Sequence, residues 1–487
     1  KFIWSNFKRG LYFLSFEKAD NTIVLSDFHL SDEEPPHPKN PLWKKFKTRE
    51  FFIDEDFKDF IDEIQNKIQG PIELVLNGDI FDFDSILKLP EKPPYRVSWL
   101  EKIRGLSSEE NKSRFKMNII LDDHFIFVET IREFIKNGNK VVFIIGNHDM
   151  ELHWLSVREE IINRLDLNTE QRERIRFCEW FFVSNGDTLI EHGNQYDEYC
   201  VCNNPIHPII KHNHKFYVRL PFGNLAGKII LNGMGLMNPH VDSSFIKSSA
   251  REYIVFFYRY VAKTQPFLLW SWIWSAAITL VYSVREGLLP AMRDPLLTES
   301  RVGQMAKSAN TTPQKLRALR DNHVHPAIFD PLKILRELWL DRVIILIFIF
   351  FIGFQVFTFF NVFIPVSIWW FAGPILFLIP PFIFYAQSVE SEVDHVIKNI
   401  REKVPASTKI LGVNRAILGH THKEIHTQIG DIEFLNTGTW SPAFHDVECT
   451  KPYGRRCFAW IRTTERGRES HLFEWTSDKK ISGPLFS

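Results

Sequence analysis

The sequence predicts a layered α/β fold interrupted by an inserted, helical, membrane-associated region. Three observations carry that expectation. Short apolar runs rich in β-branched residues recur along the chain, as buried strands require. Segments of helical periodicity stand between the early runs, so strand and helix alternate and the strands should pair in parallel. A stretch without a single charge, residues 343–386, lies inside the 487-residue chain.

Each apolar run ends in a short polar motif. Residues 22–26 lead into Asp27-Phe28-His29, and residues 72–76 lead to Gly78-Asp79. Residues 141–145 lead to Gly146-Asn147-His148-Asp149, residues 188–190 to His192-Gly193, and residues 416–418 to Gly419-His420-Thr421-His422. Open α/β sheets place their sites on loops beyond strand ends, which is where these side chains should lie. Between the first two runs, Phe57, Phe60, Ile61, Ile64 and Ile68 repeat at helical spacing until Gly70-Pro71 stops them. Between the next two, Phe127, Val128, Ile131, Phe134 and Ile135 do the same, with Asp122 or Asp123 as the expected cap and Gly138 as the end. From about residue 408 the chain is strand-rich and should supply a second sheet together with the His420 loop.

Asp27, Asp79 and Asn147 offer oxygen, and His29, His192, His420 and His422 offer nitrogen. Such a set suits borderline divalent ions, Mn foremost with Fe or Zn as alternatives, and includes no thiolate. Seven ligands exceed the needs of one tetrahedral ion and fit two ions sharing a carboxylate. Two such ions clamp the oxygens of an in-line phosphoryl displacement and lower the pKa of a bridging water, whose hydroxide would attack phosphorus. His148 adjoins Asn147 and is placed to protonate a leaving oxygen or to hold the phosphoryl group. Asp149 is expected to orient that imidazole, which makes His148 and Asp149 the catalytic candidates.

The ordered set D-x-H, GD, GNHD, HG and GHTH resembles the calcineurin-like metallophosphoesterase superfamily, over roughly the first 200 residues and the last 80. The resemblance implies a four-layer αββα sandwich. It implies that Asp27, His29 and His422 bind one metal, that Asn147, His192 and His420 bind the other, and that Asp79 bridges them. Asn194-Gln195-Tyr196-Asp197 and the turn Asn436-Thr437-Gly438-Thr439-Trp440 are similar to membrane-linked bacterial members, among them the UDP-2,3-diacylglucosamine hydrolases of lipid A synthesis. Those enzymes usually carry Arg where this chain has His148, a departure that bears on the substrate and not on the metals.

Composition narrows the classes. Formal net charge is zero, so nothing global favours nucleic acid as a partner. Aromatic residues reach 14%, and many lie mid-chain, which favours lipid contact over a soluble core. The five cysteines, an odd number, argue against a disulfide framework. Cys200-Val201-Cys202 lacks a second pair at zinc-site spacing, and Cys178, Cys449 and Cys457 read as ordinary thiols. Residues 1–16 contain no apolar stretch of secretory length.

Roughly 230 residues separate His192 from His420, far more than a connection needs. The uncharged stretch is interrupted near its middle by Asn361, Pro365 and Ser367, which predicts two spans and a turn, a membrane hairpin. Residues 266–284, with Trp270, Trp272 and Trp274, should lie in the membrane interface, because His192 and His420 must share one side of the bilayer and the hairpin already supplies two crossings. Residues 251–263, with Tyr253, Phe256, Phe257 and Tyr260, extend the same reading. The expected domains are 1–200, the first part of the phosphoesterase core; 201–340, a helical insert; 341–388, the transmembrane hairpin; and 389–487, the second part of the core.

Charge gives the side. Arg301, Lys307, Lys315, Arg317 and Arg320 precede the hairpin, Lys333, Arg336 and Arg342 flank it, and Lys398, Arg401 and Lys403 follow it, whereas its turn is uncharged. The positive-inside tendency places the catalytic domain on the cytoplasmic face, and the basic stretch can hold anionic headgroups. Thr312 before Pro313 reads as a helix start. His207, His212, His214, His323 and His325 read first as surface or capping residues, with His207, His212 and Arg219 as possible substrate contacts. The expected activity is hydrolysis of a phosphoester or pyrophosphate bond, with a nucleotide-diphospho-lipid as the sharpest substrate expectation. A membrane-tethered phosphatase acting on a soluble nucleotide or phosphoprotein is the alternative. A non-enzymatic scaffold would have no need of all seven ligands.

Overall fold

The structure, a computed structural model, describes residues 18–212, 214–236, 255, 258–259, 268–289, 295–388 and 395–485. Two sheets form its α/β core. In the first, β1 (Asn21–Leu25), β2 (Ile72–Asn77), β3 (Lys140–Ile144) and β4 (Ile175–Cys178) pair in parallel, with Val24 opposite Val75 and Val75 opposite Val142. In the second, β5 (Phe181–Ser184) and β6 (Thr188–Glu191) form a hairpin, and β6 pairs in parallel with β9 (Arg415–Leu418). The strands β11 (Ile432–Thr437) and β10 (Glu424–Ile429) complete that sheet beyond β9. A small hairpin, β7 (Ile209–His212) with β8 (Lys215–Val218), opens the long insert.

The final segment does not serve the second sheet alone, as its strand-rich composition had suggested. It divides, with β9 to β11 in the second sheet and β12 (Cys457–Thr464), β13 (Gly467–Trp475) and β14 (Ile481–Ser482) extending the first, where β12 lies antiparallel to β1. The reason lies in burial. Cys457, Ala459 and Ile461 face the core between the sheets, while Phe458 faces the helices outside, so the start of β12 is apolar on both sides and covers the open edge of β1.

The sheets share a dry interior. Val24, Val75, Val142 and Ile144 of the first pack with Phe182, Ile190, Ile417 and Leu435 of the second. The other face of the first sheet carries Leu74, Leu76 and Phe143 against Phe57, Phe60 and Ile64 of the helix Asp54–Lys67 and Phe127, Ile131 and Phe134 of the helix Phe125–Lys136. The first helix starts with Asp54, Glu55 and Asp56, which suit the positive end of its dipole. The expected cap of the second is not used: Asp123 accepts from Glu33 N and Lys88 Nζ, Asp122 pairs with Arg164, and the helix opens after His124, whose ring contacts Asp54 and Ser31 O. Outside the second sheet, the helices Pro295–Ser308 and Pro313–Arg320 and the helix Val396–Leu411 pack on Val183, Leu189, Ala416 and Leu418. Thr312 caps the middle one through Lys315 N, with Pro313 in its first turn, as its sequence implied.

The insert returns to this core through apolar helices. Leu268–Leu288 packs against Phe222–Ile229 and Pro331–Glu337. Ser275, Ala276, Thr279 and Ser283 are buried on its inner face, where Trp272, expected at the membrane interface, and Leu280 also pack, while Trp270, Trp274, Val281 and Leu288 point outward. That is the reverse of a helix on a water-soluble surface. Leu340–Phe363 follows, and among the described residues it is the helix long and apolar enough to cross a membrane; the apolar run of its neighbour, Trp369–Ile383, is shorter. Phe371 packs against Phe350, Phe354 and Phe357 to join the two helices, and Phe348, Phe351, Phe359, Phe360, Trp369 and Phe377 stand exposed around the pair. The proposed interfacial stretch 251–263 lies almost wholly outside the described residues.

Candidate metal centre

The ends of β1, β2, β3, β6 and β9 converge, and each delivers its motif within one or a few residues of the last strand position. The backbone there is forced: Asp27, Asp79, His29, His420 and His422 all have positive φ, between 52° and 66°. Residues with a Cβ pay for the left-handed region, and such strain is retained where surrounding structure fixes a functional geometry. Glycines make the convergence possible. A Cβ on Gly78 would lie 2.5 Å from the His192 ring, one on Gly146 would lie 2.3 Å from Asp79 Oδ1, and one on Gly419 would lie 2.5 Å from Asp27 Oδ2.

The side chains that meet closely enough to hold a metal ion include two sets among the expected ligands: Asp27, His29 and His422, and Asp79, His192 and His420. Asp79 also groups with His29 and His148, which puts it between the two sets. Its Oδ1 accepts the His148 amide at 2.7 Å, so Oδ2 faces His192 Nε2 at 3.1 Å and His29 Nε2 at 3.9 Å. His192 directs Nδ1 to the Asn77 carbonyl at 3.1 Å, and that contact leaves Nε2 as the ligand nitrogen. The buried Asn147 Oδ1 has no hydrogen-bond partner, and His192 Nε2 meets the Asp79 carboxylate at 3.1 Å. A buried amide oxygen is rarely left so, and a cation between it, the imidazole and the carboxylate is what this donor set fits.

A chain with these motifs at these strand ends has its counterpart in one family model: residues 21–222 match the calcineurin-like phosphoesterase family. The chain carries a calcineurin-like phosphoesterase domain. The phosphoesterase domain makes it a metal-dependent hydrolase, with its His and Asp clusters in place for the metals. No curated protein matches the chain.

Around the phosphoesterase site, several residues act beyond the expected ligands and the expected catalytic pair. Asp82 Oδ1 lies 3.3 Å from His148 Nδ1, and Asp84 Oδ2 lies 3.7 Å from it. Asp149, expected to orient that ring, instead takes two backbone amides, Ile80 N at 2.9 Å and Gly146 N at 2.5 Å. It ties the Asp79 loop to the Asn147 loop, and Asp82 orients the imidazole. The signal was present in the alternation of Asp79, Asp82 and Asp84 with apolar residues. Asp197 Oδ2 accepts from His420 Nε2 at 2.9 Å, which leaves Nδ1 of that ring for an ion. Asn436 braces the same loop through Gly419 O at 2.7 Å.

Electrostatics follow this clustering. Burial disfavours a charged His148, but Asp79, Asp82 and Asp84 outweigh it and raise its pKa to about 10. Burial likewise opposes a charged Asp79, yet His192 and His148 hold its carboxyl well below the usual range. Burial and then Glu151 raise Asp84 to about 7, and burial and then Asp79 do the same for Asp149.

Other expected contacts lie elsewhere. Arg219 Nη2 donates to Leu289 O. His207 sits with Arg301 and Glu179 behind the second sheet, and His212 ends β7. Arg301 binds Glu179, Arg317 binds Glu299, Arg320 binds Asp321, and Lys315 donates to Leu411 O, so most of the basic stretch has partners within the chain. Cys200 groups with Asp197 and His420, whereas Cys202 and Cys178 are buried thiols pushed up to about 12 by burial.

Proposed function

We propose that this protein is a membrane-associated, two-metal phosphohydrolase built on an αββα sandwich, cleaving a phosphoester or pyrophosphate bond in a lipid-linked substrate. The observation that carries the reaction class is the pair of ligand groups meeting at Asp79. In this reading Asp27, His29 and His422 would hold one ion and Asn147, His192 and His420 the other, with Asp79 placed to serve both. Two divalent ions, Mn foremost, supply Lewis acidity and an acidified water when bound. Asp82 Oδ1 meets His148 Nδ1 at 3.3 Å and orients the ring. The same ring is the proposed proton donor to the leaving oxygen, with Asp82 and Asp84 beside it.

The lipid part rests on the insert. It leaves the core beyond His192 and returns before His420, two residues of one ligand group. Between them lie the outward tryptophans of Leu268–Leu288 and the exposed apolar pair Leu340–Phe363 and Trp369–Ser388. Exposed apolar surface of this extent on a water-soluble chain would drive aggregation, and a bilayer removes it from water. With the basic flanks of the hairpin, the catalytic domain belongs on the cytoplasmic side. A nucleotide-diphospho-lipid brings both a diphosphate for the ions and acyl chains for the insert.

The test is hydrolysis by detergent-purified protein with Mn, on a panel of nucleotide-diphospho-lipids, lipid monophosphates, soluble nucleotides, a phosphoprotein and a chromogenic diester. Lipid turnover abolished by Asp79→Ala supports the proposal. Turnover of soluble esters alone would reduce the insert to a tether, and no turnover of any ester would refute the reading.

A further inference from the structure

The helix Phe222–Ile229 lies outside the strand-end motifs, yet one of its side chains reaches them. Asn224 is fully buried. Its Nδ2 donates to the Asn147 carbonyl at 2.8 Å and to Asp84 Oδ2 at 2.6 Å, and its Oδ1 faces Asn147 Nδ2 at 3.5 Å. The neighbouring Asn232 donates to Asp84 O at 2.7 Å. The start of the insert therefore grips both the Asn147 loop and the acid beside His148.

These contacts can be read as a chain of forced choices. A side-chain amide presents an acceptor at one end and a donor at the other, and the two ends have nearly the same shape. A backbone carbonyl only accepts. The end of Asn224 that meets Asn147 O must therefore be its NH2, which turns its oxygen toward the Asn147 side chain. An oxygen can only accept, so Asn147 must present its own NH2 there. The remaining atom, Asn147 Oδ1, is the buried oxygen without a hydrogen-bond partner. Without this contact, a rotation of half a turn about the last side-chain bond would present NH2, which has no lone pair for a cation.

We propose that Asn224 is a positioning residue that sets the amide orientation of Asn147 and so makes its oxygen available to the second metal ion. The inference rests on the two-metal reading and deepens it. It also makes that ion dependent on the insert, because Phe222–Ile229 packs against the tryptophan-bearing helix Leu268–Leu288. Outer-shell partners of metal ligands carry effects of roughly 10–100-fold in metal affinity, and that is the size expected here.

The experiment is Mn binding by calorimetry on the full chain in detergent, with no substrate, in a double-mutant cycle. Asn224→Leu keeps the number and branching of the side-chain heavy atoms and removes the hydrogen bonds, and Asn224→Ala is the second variant should the bulkier leucine fail to fold. In either, affinity for one ion should fall roughly 10–100-fold while the other ion binds as before, which also reports a folded chain. Asn147→Asp has two equivalent oxygens and no orientation to set, so on that background the same Asn224 substitution should cost about threefold or less. Two ions bound by Asn224→Leu as tightly as by the unaltered chain would overturn the proposal, as would an undiminished penalty on the Asn147→Asp background. Fewer than two ions on the unaltered chain would overturn the two-metal reading itself, and this proposal with it.

Discussion

His29 and His422 stand 393 residues apart in the chain, and their Nε2 atoms meet at 3.2 Å. Both nitrogens look toward Asp27 Oδ1, at 4.0 Å from His29 and 3.2 Å from His422. Two ring nitrogens converging on one carboxylate oxygen make a site for a cation. His422→Ala is expected to reduce bound metal from two ions to one per chain while leaving the fold intact. Elemental analysis of the purified variant decides it, and two tightly held ions would contradict the assignment of His422.

His148 belongs to chemistry and not to metal retention. His148→Ala should lower kcat by about 10²–10⁴-fold, the usual contribution of a positioned acid. Metal content should not change. A variant that loses its metals along with its rate would instead make His148 a ligand.

Gly146 has no room for a side chain. A methyl there would lie 2.3 Å from Asp79 Oδ1 and 2.5 Å from Asp79 N. Gly146→Ala should therefore displace the shared carboxylate, abolish turnover and cost about 1–3 kcal/mol of stability through overpacking. Thermal melts with and without Mn check both parts, and a fully active variant would refute the close approach.

His153 and Glu179, clustered with Arg158 and Arg301, make folding sensitive to acid. Burial, then the nearby Arg158 and Arg301, push the His153 pKa down to about 3 from 6.5, despite the opposing Glu179. As pH falls from 6.5 toward 3, the unfolded chain binds a proton that the folded chain does not, so stability drops, at a slope approaching about 1.4 kcal/mol per pH unit. Burial alone would raise Glu179, but Arg301 and Arg158 hold it at about 2, so its contribution is lost between 4.5 and about 2. His153→Leu should flatten the upper window and leave the lower one. Denaturant midpoints across pH would show this, and an unchanged slope above pH 4.5 would count against it.

Trp270 and Trp274 should enter lipid. Adding anionic vesicles to a chain lacking residues 343–386 should blue-shift their fluorescence, and replacing both with alanine should weaken partitioning roughly tenfold, given the apolar area each ring buries. If the truncated chain ignores vesicles, the helix Leu268–Leu288 packs on something other than a membrane.

The strand-end motifs were readable because period and punctuation are local. Apolar runs name the strands, and the polar residue after each run marks the loop where a site can form. The helix around Phe127 to Ile135 was legible for the same reason. The helix Glu110–Asp123 was not, because its buried face includes Lys112 and Lys116, whose charges are met by Glu109 at its own N-cap and by Glu101 and Glu151 from other elements. Burial of a paired lysine leaves no trace in an apolar pattern.

Taken alone, the amino-acid sequence determined the five strands that end in the motifs, the candidate ligand types and the apolar insert, because each depends on residues a few positions apart. Tertiary structure decided the partners. Whether β12 joins the first sheet, whether Asp82 or Asp149 faces His148, and whether Asn224 reaches Asn147 all depend on contacts across tens to hundreds of residues. Hydrogen bonds and packing act over a few ångströms of space, and only the folded chain says which residues are that close.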